Sequence, residues 1–109
     1  MDELIEEIVE ELSIELKDDV NFDEEVLTLK VRNAYREVKR ARQYPSSYTS
    51  DAIASDIENY YMNIKNIALY DYNQRGAEFE TSHDENGTDR DFMEREKLFT
   101  GILPFAKMF

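Results

Sequence analysis

An apolar seam in the second half of the chain limits most strongly what it can fold into. Ile53, Ile57, Tyr60, Tyr61, Ile64, Ile67 and Ala68 recur at three- and four-residue spacing, which at 100° per residue gathers them on one face of a helix. A strand, with its period of two, would scatter them over both faces. The spacing predicts a helix from about Ser50 to Arg75, ended by Gly76, a residue able to take the left-handed conformation past a helix end. Such a seam must be covered, and two further apolar stripes supply the cover. Leu4, Ile5, Ile8, Val9, Leu12 and Leu16 form one over residues 2–16. Leu27, Val31, Ala34, Tyr35, Val38 and Ala41 form the other, on a helix capped by Asn21 or Asp23 and running to about Gln43, where Pro45 stops it. Asp91 and Glu94 have capping-box spacing for a last helix through about Phe99, ended by Gly101 and followed by the apolar tail 102–109. The expected fold is mainly α: one domain over residues 1–109, a small bundle of about four helices.

Before the last helix lies a long polar stretch, YNQRGAEFETSHDENGTDR, at residues 72–90. Asn86-Gly87 is a strong hairpin signal, because both central positions of a type I′ turn need positive φ. Phe79 and Thr81 before it, and Thr88, Arg90 and Phe92 after it, alternate at period two. A protruding loop or β-hairpin is expected there, and loops of this length in a small domain are usually functional or disordered. At its start, Asp71 and Arg75 fall on the seam line where apolar residues belong. Either they form an ion pair at a solvated helix end, or they anchor the loop, with Asp71 accepting from Arg90.

Charge narrows the partners. The first 25 residues hold 12 acids and one base, and the whole chain carries a net charge of −12. A field of that sign repels nucleic acid and anionic membranes over most of the surface, so proteins are the expected partners. There is no cysteine, which removes disulfides, thiol catalysis and cysteine-based zinc sites. Met1-Asp2-Glu3 offers neither the basic nor the apolar region of a secretion signal, and no apolar run is long enough to span a membrane.

Catalysis finds no positive signal. Glu6, Glu7, Glu10 and Glu11 have the spacing of helical Mg²⁺ ligands, but they lie opposite the apolar stripe and later helices offer few acids to converge with them. They read as a solvated face. His83, the only histidine, sits beside Ser82 on the polar loop, where rigid triad geometry is not available. No catalytic residue, metal site or cofactor is expected. The basic stripe Arg32, Arg36, Lys39 and Arg40 is weak evidence for phosphate binding on so acidic a chain. Pairing with the glutamate face of the first helix, in the same chain or a neighbouring copy, explains it better. The tail with Phe105, Met108 and Phe109 either packs on its own core or docks on another subunit.

The segment ALYDYNQRGAE ending the central helix, the loop TSHDENGTDRDF and the closing LFTGILPFAKMF together resemble the small head-tail connector, or head-completion adaptor, proteins of tailed bacteriophages and prophages. The resemblance is strongest over residues 60–109 and only architectural before them. It implies a structural, non-enzymatic role: copies assemble into a ring beneath the portal, extend the DNA channel and offer a docking surface to the tail or stopper protein. The partners implied are the chain itself, the portal and the tail or head-closure protein, with DNA as passing cargo. The place implied is the host bacterial cytoplasm during assembly and the virion's head-tail interface afterwards. Gly76, Asn86, Gly87, Arg90, Pro104 and Lys107 match the pattern and would be assembly contacts, with Phe79 on the same loop. The acidic N-terminal run departs from the pattern. The alternative is an acidic decoy from a phage-like genome that mimics DNA phosphates to block a DNA-binding protein. Against it, the carboxylates concentrate in the first 25 residues instead of spreading along one face.

Overall fold

The structure, a computed structural model, describes residues 2–74 and 95–104. Helix α1 (Asp2–Glu15) turns Ile5, Ile8, Val9 and Leu12 inward and leaves its glutamates in solvent. The chain then turns through 16–23, and of the two caps offered by the sequence it is Asp23 that serves. Its backbone is extended and its carboxylate accepts from the Val26 N–H at 3.2 Å, satisfying a donor that the first helical turn leaves open. Helix α2 (Glu24–Arg42) has Glu24 and Glu25 in its first turn and Lys39, Arg40 and Arg42 in its last, both complementing the helix dipole. Gln43 closes it in the left-handed region, φ 50°, a conformation that costs a residue with a side chain about 1–2 kcal/mol.

Thr49 caps helix α3 (Ser50–Ile57), its hydroxyl accepting from the Ala52 N–H at 3.1 Å. Here the structure departs from the single helix expected over 50–75. A 3₁₀ turn at Glu58–Tyr60 separates α3 from α4 (Tyr61–Gln74). Ile57, Glu58 and Tyr61 all keep right-handed helical backbone, so the run is tightened without being broken. The apolar seam therefore continues across the turn, and Ile57, Ile64, Ile67 and Ala68 are fully buried.

One core joins the helices: Ile8 and Leu12 from α1, Leu27, Val31 and Val38 from α2, Ile57 from α3, Ile64 and Ile67 from α4. Helix α2 packs most extensively on α4 and next on α1, so it shares the central place expected of the third helix. Tyr72 extends the seam one turn further than the sequence reading took it. Its ring lies 6.3 Å from that of Phe22 and its hydroxyl accepts from the Asp23 N–H at 2.9 Å, tying the end of α4 to the start of α2.

The closing segment is less helical than expected. Residues 95–97 form a helical turn, and successive turns follow through Gly101, whose φ is +89°. The N–H groups of Leu98, Phe99 and Thr100 each donate three residues back, at 3.0, 3.0 and 3.1 Å. This tight, i−3 pattern ends the helix before Phe99. Ile102 is buried in the core, Leu103 is exposed and Pro104 half-buried. The expected hairpin, the start of the last helix at 91–94 and the tail 105–109 lie outside the described residues, among which there is no strand.

Candidate functional site

Arg42 is the one charged residue buried among the described residues, 1% exposed. It sits four residues after Val38 on the α2 stripe, so helix geometry drives a guanidinium into the core. Such a charge needs partners. Its Nε and Nη2 donate to the two Asp56 oxygens at 2.9 and 3.2 Å, and Nη1 donates to the Leu103 carbonyl at 2.8 Å. Asp56 also accepts from the Tyr44 hydroxyl at 2.7 Å, and the Tyr60 ring lies 5.2 Å from the guanidinium carbon. Burial works against the charge, but the bonds with Asp56 and Tyr44 outweigh it and hold the Arg42 pKa above its ordinary value. Four parts of the chain thus meet at one cation: the end of α2, the turn after it, α3 and the closing segment.

A second clamp lies at the end of α4. Asp71, expected to pair with Arg75 or Arg90, accepts two hydrogen bonds from Arg95, at 2.7 Å from Nε and 2.8 Å from Nη2. Glu37 of α2 accepts from the same Nη2 at 2.7 Å, and the guanidinium carbon stands 5.5 Å from the Phe99 ring centre. Bonding to Asp71, and then to Glu37, holds the Arg95 pKa above its ordinary value despite partial burial. Asn63 adds bonds to the Leu98 and Thr100 carbonyls at 2.9 and 3.3 Å. Arg95, the first described residue after Gln74, therefore lies against Asp71, near the end of α4. Arg75, Gly76, Phe79, Asn86, Gly87, Arg90 and Lys107 lie outside the described residues, as does His83.

The charged rows face outward. Glu6, Glu7, Glu10 and Glu11 on α1 are exposed, and so are Arg32, Arg36, Lys39 and Arg40 on α2. Among the described residues no ion pair joins the two sets within the chain. Glu11 turns instead to α4: Lys65 lies 3.1 Å from it and 2.7 Å from Glu15, and the Tyr61 hydroxyl donates to Glu11. Those bonds, Tyr61 first and Lys65 second, lower the Glu11 pKa.

Two grooves flank α2. One, of about 690 Å³, runs between α1 and α2 with Ile5, Val9 and Ile14 among its walls and Glu6, Glu10 and Arg32 on its rim. The other, of about 580 Å³, is bordered by Arg36, Lys39 and Arg40 and floored by Tyr44, Tyr48 and Ile53, the two tyrosine rings stacked at 5.8 Å. Among the described residues no three histidines, cysteines or carboxylates converge as metal ligands, and no helix is long and apolar enough to cross a membrane.

Two tyrosines record these environments. Burial first, and then hydrogen bonding to a carboxylate, raises the pKa of Tyr44 beside Asp56 and of Tyr61 beside Glu11. The fold favours the neutral phenol, whereas the unfolded chain ionises near pH about 10. Stability from these two groups is therefore full below that pH and is lost as pH rises through the raised values. An alkaline titration followed by near-ultraviolet absorbance is expected to show Tyr44 and Tyr61 ionising late, together with loss of helicity. Phenylalanine at either position removes one late group. A titration left unchanged by both substitutions at its alkaline end would contradict this environment.

No family model matches the chain, and comparison with curated proteins and with solved structures gives no match either. The described residues form a small helical bundle whose first two helices carry exposed rows of opposite charge, with Asp71 and Arg95 paired beside the end of α4.

Proposed function

We propose that this chain is a structural assembly protein that associates with copies of itself and with other proteins, in the manner of a phage head-tail connector. The observation that carries the reading is the separation of charge on one rigid bundle. An acidic row on α1 and a basic row on α2 both face solvent, and among the described residues neither is neutralised by the other. Charge arranged this way sets partner choice and register more than it adds affinity. Two different, complementary faces on each copy make a head-to-tail contact, which closes into a ring or extends into a filament. In this reading the polar segment 75–94, with Pro104 and Lys107 further on in the sequence, supplies contacts to the neighbouring subunit, the portal or the tail stopper. DNA passes through the ring, and the acidic surface keeps it from sticking.

The test is light scattering coupled to size-exclusion chromatography, with electron microscopy of the product, on the protein alone and mixed with portal rings. Rings, or a complex on the portal, are expected. Deleting residues 79–90 is expected to leave helicity and melting nearly unchanged and to abolish that assembly. A strict monomer that ignores portals but titrates a DNA-binding protein would overturn the reading in favour of the acidic decoy.

A further inference from the structure

We infer that the outer row of α2 is the docking surface for the outer row of α1 of a second copy, laid parallel to it; this rests on the self-assembly reading and names the surfaces that carry it. On α1, Glu3, Glu7, Glu10 and Ile14 follow one another at intervals of four, three and four residues, and all are exposed, Ile14 to 61%. On α2, Arg32, Arg36 and Lys39 repeat the first two intervals, and Gln43, the left-handed residue that closes the helix, follows four residues later, all of them exposed. The three charges of each row span about 10 Å of helix at 1.5 Å per residue and lie on one narrow face. Three carboxylates thus stand in the same register as three cations.

The fourth position completes the match. Past Glu10 the α1 row ends in an isoleucine that its own bundle leaves in water. Past Lys39 the α2 row ends at Gln43, on the border of the cleft floored by Tyr44, Tyr48 and Ile53. A parallel neighbour brings Ile14 to that cleft while the charges pair along the helix. The chain's own α1 does not do this: among the described residues no ion pair joins the two rows. Asp56, the carboxylate under the cleft, is held by Arg42 and Tyr44 and does not neutralise the row.

Zero-length carbodiimide coupling tests the contact on the unaltered protein, since it joins a lysine amine to a carboxylate only where the two touch. In a mixture of unlabelled and nitrogen-15-labelled protein, mixed-isotope peptides linking Lys39 to Glu10, and to Glu7 one turn before it, are expected. Reversing Arg36→Glu and Lys39→Glu together should weaken self-association at least about tenfold, and adding a Glu7→Lys, Glu10→Lys partner should restore it. Because exposed charges are screened, about 1 M salt should weaken the parent in the same way. Lys39 coupled only to carboxylates of its own chain, or not coupled at all, overturns the inference. Mixed-isotope links in a protein that stops at a dimer uphold the contact and overturn the ring. A ring whose links avoid Lys39 does the reverse.

Discussion

Asp56→Ala is expected to destabilise the bundle by about 3–5 kcal/mol, the usual cost of leaving a buried ion without its partner. Arg42 is 1% exposed, and the substitution removes both of its carboxylate bonds while leaving the charge in place. The Tyr44 hydroxyl loses its acceptor in the same step. Small domains are stable by only about 5–15 kcal/mol, so urea unfolding should show much of that margin gone. The sharper comparison is a double-mutant cycle with Arg42→Met. Removing the cation along with the carboxylate should recover part of the loss, because an apolar side chain in that space needs no counterion. An Asp56→Ala protein within about 1 kcal/mol of the parent would mean that water, not Asp56, carries the charge of Arg42.

Ile64→Ala should cost about 2–5 kcal/mol, from lost burial together with the cavity left behind. Ile64 is fully buried one turn past the 3₁₀ segment and shares the core with residues from every helix. Met62, two residues earlier, is 57% exposed, and its replacement by alanine should fall within about 0.5 kcal/mol of the parent. Equal melting of the two variants would show that α4 is turned about its axis from the orientation described here. Ile57→Ala belongs to the same class as Ile64→Ala.

The helices were legible because their signals are local. The apolar stripes of α1 and α2, the cap at Asp23 and the stop before Pro45 each depend on residues a turn or two apart. The interruption at Glu58–Tyr60 was not legible, since no glycine or proline marks it and the seam keeps its period on both sides. Contacts from elsewhere meet it, with Arg42 at Tyr60 and Glu11 at Tyr61. Tyr72 was missed as a core residue because its burial depends on a hydroxyl partner 49 residues away, the Asp23 N–H. Arg42 did leave a sequence signal: it continues the stripe four residues after Val38, the same anomaly that drew attention to Asp71. Arg95 left none, because what makes it a clamp is the meeting of Asp71 and Glu37, which no spacing encodes. For the candidate surface, the residue types were legible and their outward orientation was not. That Glu11 would turn to Lys65, while Glu3, Glu7 and Glu10 stay exposed, follows from where α4 packs.

The paired carboxylates around Arg95 have a consequence for how such a protein can change. Asp71 and Glu37 grip Arg95 from two helices at once, so the closing segment is held to the bundle by contacts of its own. Substitutions that keep these three residues keep that grip.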